Sequence, residues 1–292
     1  MKVHLVDGTY ELFRQHFGSA HRRDESGREP GRFDATIGVL TSTLQLIEDG
    51  ATHIGVASDH VIESFRNDLW EGYKTSEGML PELLHQIPVM EDALIAMGVT
   101  TWPMVEWEAD DALGAAAHVA DHDERVEQVL IITPDKDLGQ CVKGTRVVQY
   151  DRRKREIIDE HAVREKFGVG PASIPDYLGL VGDAADGYPG LPGWGAKSAS
   201  LVLARYEHLE HIPPEASLWD VDGLRGAAKL SKTLQDNAEL AVLFRIIATV
   251  DLDVPVGQVD DWLWSGPTAG FPDVCEQLGV PALATRAAHL AA

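Results

Sequence analysis

Four short apolar runs constrain this chain more than any other feature: VHLV (3–6), HIGVAS (53–58), VTTWPMV (99–105) and VEQVLIIT (126–133), separated by stretches with helical spacing. Between the first two, 34–50 places Ile37, Leu40, Leu44 and Ile47 at helical intervals, with Asp34 as its expected N-cap and Gly50 as its stop. Segment 81–98 reads as a helix bent or interrupted at Pro88, and 109–122 as a further helix. This alternation predicts an α/β domain, a mainly parallel sheet with helices on both faces. From about residue 172 the pattern turns helical around a Gly/Pro cluster, GYPGLPGWG at 187–195, and 250–271 reads as an irregular connection to a last helical stretch. The expected division is therefore 1–171, a small α-helical domain over 172–255, and a C-terminal extension over 256–292.

The chain has 292 residues, with 44 % hydrophobic and 25 % charged side chains, the proportions of an ordinary soluble globular protein. Its 47 acidic and 25 basic side chains leave a formal net charge of −22, which repels polyanions at long range. A nucleic-acid partner would thus need a local basic groove. No apolar run approaches the roughly 18 residues of a membrane span, and the N-terminus lacks a signal-peptide pattern. The expected setting is cytoplasmic, with no membrane partner. Cys141 and Cys275 stand in no CxxC, so neither a disulfide framework nor a thiolate metal site is expected.

The placing of the acids is more informative than their number. Asp7, Asp59, Glu108 and Asp135 each leave one of the four predicted strands at its carboxyl end. In an open parallel sheet those ends form the ligand crevice, so the four should converge. Asp110 and Asp111 adjoin Glu108 in EADD, and Asp137 follows Asp135 in DKD. Acids also favour helix starts, where they cap and complement the dipole. Capping accounts for any one of them, but it does not require an acid after every strand. Clustered carboxylates cannot all ionise without a compensating cation, and all-oxygen ligands select Mg²⁺ or Mn²⁺ over Zn²⁺. The number of ligands suits two or more ions of the kind found at phosphoryl-transfer sites.

Other signals weigh less or point to phosphate. GLPGWGAKS (190–198) fails as a nucleotide-binding loop, because its Lys comes one residue late and no strand precedes it. His118 and His122 have i, i+4 spacing but no evident third ligand, so an exposed helix face is the better reading. Arg66 and Lys74 follow Asp59 in FRNDLWEGYK, and RRKR (152–155) should tip a hairpin between VVQY and EII. Each could be a solvated turn or part of the basic groove that bulk charge denies. PGWGAKSAS (192–200) offers backbone N–H groups at a helix start beside Lys197, an arrangement that binds phosphate without reading a base.

Taken in order, VDGTYELFR (6–14), ASDHVIESFRNDLWEGYK (57–74), EADD (108–111), TPDKDLGQ (133–140) and VGDAADGYPGLPGWGAKSA (181–199) resemble the 5′ nuclease (flap endonuclease) superfamily. The likeness is greatest to the bacterial 5′–3′ exonuclease domain, found at the N-terminus of DNA polymerase I and in stand-alone form. The resemblance implies a three-layer PIN-like catalytic domain with a helical arch near 66–90, and a helix-three-turn-helix domain that grips duplex DNA. It implies metal ligation by Asp7, Asp59, Glu108, Asp110, Asp111, Asp135, Asp137, Asp183 and Asp186, with catalytic roles for Lys74 and Arg66 at the base of the arch. It further implies DNA binding by Arg14, Arg152, Arg153, Gly190, Gly193, Gly195 and Lys197, with K⁺ at the helix-three-turn-helix. Two departures stand out. Glu77 replaces an Arg usual three residues after the arch Lys, and Ala185-Asp186-Gly187 replaces the usual Ser-Asp-Asn.

The function so implied is a structure-specific 5′ nuclease, both 5′–3′ exonuclease and 5′-flap endonuclease, cutting DNA by a two-metal-ion mechanism with Mg²⁺ or Mn²⁺. Its partners would be DNA with free 5′ ends or flaps and a separate DNA polymerase and ligase, and the chain would act as a monomer. The alternatives are a weakly catalytic or non-catalytic DNA-binding relative, which Glu77 and the net charge favour, and a PIN-type ribonuclease. The acidic surface also suggests a host with high internal salt.

Overall fold

The computed structural model describes residues 1–26 and 32–291. In chain order β1 (Lys2–Asp7), α1 (Gly8–Ser26), α2 (Asp34–Glu48), β2 (His53–Asp59), α3 (Arg66–Leu69), α4 (Pro81–Leu84) and α5 (Gln86–Ala96) come first. Next are β3 (Thr100–Met104), α6 (Ala109–Asp121), β4 (Gln128–Ile132), β5 (Val147–Asp151), β6 (Glu156–Ile158) and α7 (Glu160–Phe167). Then follow α8 (Ile174–Val181), α9 (Ala196–Tyr206), α10 (Ala227–Asp236), α11 (Ala238–Ala248), α12 (Phe271–Gln277) and α13 (Pro281–Leu290). Packing groups these into two units: Met1–Ile62 with Ser76–Thr133 and Leu252–Ala292, and Glu63–Thr75 with Pro134–Asp251.

In the first unit the strands run parallel in the order β3-β2-β1-β4. Val3, Leu5, Ile54, Val56, Val129 and Ile131 are almost wholly buried, because helices cover both faces of the sheet and apolar runs replace alternation. The order places the switch point at β1: the chain moves out through β2 and β3, then returns to β4 on the other flank. Gly55 sits where only glycine fits, since a Cβ there would stand 2.2 Å from the Trp102 indole. Trp102 lies across that gap and meets Trp262 edge-on at 5.6 Å. The C-terminal stretch belongs to this unit. The Trp264 N–H donates to the Thr52 carbonyl at 2.8 Å, Leu263 bridges His53, and Arg286 Nε reaches Glu48 at 2.5 Å.

In the second unit one apolar cluster joins Tyr73, Val142, Val163 and Phe167 to Leu180, Tyr188, Trp194, Leu203 and Phe244. Helices α8 and α11 carry a buried ionic group: Asp176 accepts from His208 Nδ1 at 2.8 Å and from Arg245 at 3.2 Å, and Arg245 also pairs with Glu210. Strands β5 and β6 form the antiparallel hairpin read from the sequence, with 152–155 at its tip.

Three details differ from the sequence expectations. Phe33, not Asp34, precedes the first turn of α2, and Asp34 is its first helical residue, where its charge complements the helix N-terminus. The interruption in 81–98 falls at His85. Pro88 lies in the first turn of α5, where it has no N–H to give the Leu84 carbonyl at the end of α4. The expected helical arch near 66–90 consists of two four-residue helices, an irregular stretch and the start of α5. Packing also groups 134–171 with the second unit, where Val142, Val163 and Phe167 join the core of its helices.

Replacing Gly55 by Val forces a side chain into the Trp102 ring, and overpacking of this kind costs about 1–3 kcal/mol. Thermal unfolding should show a clearly lowered midpoint with the native far-UV spectrum retained; an unchanged midpoint would contradict the close approach described.

Candidate functional site

The carboxyl edge of the parallel sheet gathers acids within the first unit. Asp7 ends β1; its Oδ1 accepts the Tyr10 N–H at 2.8 Å at the start of α1, and its Oδ2 accepts the Thr133 hydroxyl at 3.0 Å just beyond β4. Asp59 ends β2 and its Oδ1 accepts the Ala109 N–H at 2.8 Å, the first turn of α6. Glu108 precedes α6 in extended conformation, and its N–H donates to Asp111 Oδ2 at 2.9 Å. Asp111 is fully buried, whereas Asp110 is half-buried. The start of α6 thus supplies backbone donors to Asp59 and Asp111, and its dipole favours negative charge there.

The second unit holds a tighter group. One oxygen each from Asp137, Asp183 and Asp186 lies within 4.8 Å of the others, the only such trio of possible metal ligands among the described residues. Local backbone geometry builds it. Helix α8 stops at Gly182 (φ +80), Asp183 follows, and Asp183 and Tyr188 exchange both backbone hydrogen bonds, closing the loop that carries Asp186. A Cβ on Gly190 (φ +67) would lie 2.4 Å from the Gly182 nitrogen, so both glycines are required for this closure. Asp135 is exposed, and its Oδ1 accepts the Asp137 N–H at 2.9 Å.

Two lysines meet the trio. Lys74 Nζ stands 3.2 Å from Asp186 Oδ1, and its backbone N–H donates to the Asp186 carbonyl at 2.9 Å. Lys136 donates to Asp183 Oδ2 and lies 3.8 Å from Asp137. Burial opposes the charge on Lys136, but Asp137, Asp183 and Asp135 outweigh it and hold the ammonium above its ordinary range. Asp137 Oδ1 is buried with no hydrogen-bond partner. Burial first, then the charges of Asp135 and Asp186, push this carboxyl well above the usual carboxylate range. The Tyr188 hydroxyl is likewise buried without a partner, and burial beside Asp137, Asp186 and Asp183 raises its phenol. An orphaned carboxylate oxygen among oxygen donors fits a hard divalent cation.

The basic residues read from the sequence are dispersed in role. Arg66 is buried: its Nε donates to the Ile247 carbonyl at 2.8 Å and its Nη2 to the Thr249 carbonyl at 2.9 Å, so it clamps the end of α11. Arg14 pairs with the buried Glu11 at 2.6 Å. Arg152 and Arg153 stand at the hairpin tip, and the Arg153 N–H donates to Asp151 at 2.9 Å. Gly190 is spent on packing, whereas Gly193, Gly195 and Lys197 line an open depression of about 600 Å³ with Arg225. The sequence reading overlooked Lys136, although it stands inside DKD, because its partner Asp183 is 47 residues away. It also overlooked Arg225 and Tyr188, for which no local signal exists.

Comparison with known proteins places this geometry. The family model described as 5′-3′ exonuclease, N-terminal resolvase-like domain matches residues 2–168, and that described as 5′-3′ exonuclease, C-terminal SAM fold matches 169–269. The chain is 28 % identical over 255 residues to a 5′-3′ exonuclease of Buchnera aphidicola, covering 87 % of this chain and 88 % of that protein. It is 31 % identical over 272 residues to DNA polymerase I of Bacillus caldotenax, covering 91 % of this chain but only 30 % of the polymerase. Among solved structures, the bacteriophage T5 D15 flap endonuclease in a pseudo-enzyme-product complex with DNA and metal ions has a TM-score of 0.67 at 18 % identity, covering 99 % of this chain and 98 % of that one. The catalytic core of Rad2 in complex with DNA substrate has a TM-score of 0.61 at 16 % identity, covering 99 % and 92 %. These two likenesses establish the fold.

Because the native fold raises the Asp137 carboxyl, the unfolded chain releases that proton at lower pH, near about 4. Stability is therefore lost as pH rises from there through the native value. In EDTA, Asp137→Asn should stabilise the protein against urea at neutral pH, and the gain should shrink as pH falls toward 4. A gain that grew on acidification would contradict the assignment.

Proposed function

Because this chain belongs to the 5′–3′ exonuclease family, we propose that it hydrolyses phosphodiester bonds of DNA at free 5′ ends and 5′ flaps with a divalent cation. The observation that carries this reading is the trio Asp137, Asp183 and Asp186, in which the buried Asp137 Oδ1 accepts no hydrogen bond. Mg²⁺ or Mn²⁺ suits that donor set. Asp7, Asp59, Glu108, Asp110, Asp111 and Asp135 complete the proposed ligands. When bound, such cations lower the pKa of an attacking water and offset charge on the leaving oxygen.

The protein's own groups do the rest. Asp59 and Asp111 are held at the start of α6 by backbone N–H groups, so their oxygens are oriented before any substrate arrives. Lys74, partly exposed beside Asp186, supplies positive charge for phosphoryl oxygens. Arg66 acts through position, fixing the end of α11 and with it the segment that leads to Lys74. Gly193, Gly195, Lys197, Arg14, Arg152 and Arg153 would hold the DNA by its phosphates, independent of sequence. A K⁺ at the 190–197 turn, catalytic and helix-three-turn-helix domains meeting near residue 171, monomeric action, and a separate DNA polymerase and ligase as partners belong to the same reading. No helix among the described residues is long and apolar enough to cross a membrane.

The test uses 5′-end-labelled flap DNA beside a matched single-stranded RNA, with Mg²⁺, Mn²⁺ or EDTA. Short DNA products that require the cation are expected, with cleavage lost in Asp183→Ala and cut roughly 10²–10³-fold in Lys74→Ala while DNA binding persists. Cleavage of the RNA alone would transfer the reading to a ribonuclease. Tight flap binding without cleavage in either metal would transfer it to a binding protein.

A further inference from the structure

The carboxylate trio already holds two cationic side chains: Lys136 on Asp183 and within 3.8 Å of Asp137, and Lys74 on Asp186. Both carboxylate oxygens of Asp183 are engaged: Oδ1 accepts the Ala185 N–H at 2.9 Å and Oδ2 accepts from Lys136. Its place between Asp135 and Asp137 in the chain keeps Lys136 beside the trio, and about a third of its side chain is exposed, which gives the ammonium a way outward. Two ammonium groups and one divalent cation offset the same charge on the trio. A divalent cation approaching Asp183 Oδ2 meets that ammonium at a few ångströms, where like charges repel strongly in a partly desolvated site.

We propose that Lys136 is the internal counter-ion of the trio and exchanges with the divalent cation, so that this one side chain sets the protein's metal affinity. On metal binding the Lys136–Asp183 hydrogen bond breaks, Asp183 Oδ2 becomes a ligand, and the ammonium turns toward solvent with its charge retained. The exchange rests on the trio being the metal site. It goes beyond that reading because it makes metal affinity a competition within the protein, with Lys136 lowering it.

The experiment is a titration of the full chain with Mn²⁺ alone, free ion being read by electron paramagnetic resonance, for the wild type, Lys136→Met and Lys136→Arg. Lys136→Met should bind Mn²⁺ at least about tenfold more tightly, a shift of about 1.4 kcal/mol, and Lys136→Arg should stay near the wild type. Unchanged or weaker binding by a folded Lys136→Met, with the wild type binding normally, would overturn the exchange and leave the metal site standing. A wild type that binds no Mn²⁺ would overturn both. Should Lys136→Met not fold, the wild type still decides: reductive methylation, quantified by peptide mass spectrometry, should modify Lys136 faster in Ca²⁺ than in EDTA, and equal rates would overturn the exchange.

Discussion

Repulsion among carboxylates crowded into partly dry surroundings is the constraint on which the helical unit is built. Asp137, Asp183 and Asp186 bring three oxygens within 4.8 Å, and such a group persists only if surrounding structure holds it. Each neighbouring feature serves that end. The Gly182–Gly190 approach closes the loop, the Asp183–Tyr188 backbone pair stiffens it, and Lys74 and Lys136 place positive charge against it. Behind the loop, Asp176 ties α8 to Arg245 on α11, and Arg66 grips the carbonyls where α11 ends. The buried polar groups of this unit thus form a frame around the acids, at a cost in folding stability that a bound cation would relieve.

The sheet unit solves the same problem differently. Its acids spread along one edge, and each is tied by a backbone or side-chain donor: Asp7 by Tyr10 and Thr133, Asp59 by Ala109, Asp111 by Glu108. The start of α6 is the common donor for the last two. Capping and site-building, which compete as explanations when only sequence is in view, are here the same act. The hydrogen bonds that start the helix also aim the carboxylates.

Much of this was legible in residue order because it depends on local rules. Apolar runs that show no alternation announce a sheet covered on both faces, and an acid after each run marks the strand ends. The hairpin at 152–155 followed from two apolar runs flanking a charged tip. What escaped was set by partners far along the chain. Nothing near Arg66 in the chain announces that its guanidinium reaches the carbonyls of Ile247 and Thr249, some 180 residues on. Lys136 carries no mark within DKD of the Asp183 carboxylate that takes its ammonium. Nothing near Gly190 in the chain shows that the backbone of Gly182 fills the space its missing Cβ leaves.

By itself, then, the sequence determined the layered α/β architecture, the helical second region and the identity of the acids, because strand period, helix spacing and the placing of charge are carried by neighbouring residues. Tertiary structure decided which cation meets which acid, which glycines serve packing, and which segments share a core, so that Val142, Val163 and Phe167 join the helical unit. Those outcomes turn on distances between residues far apart in the chain, and a Coulomb or steric contact of a few ångströms leaves no trace in the order of the residues that make it.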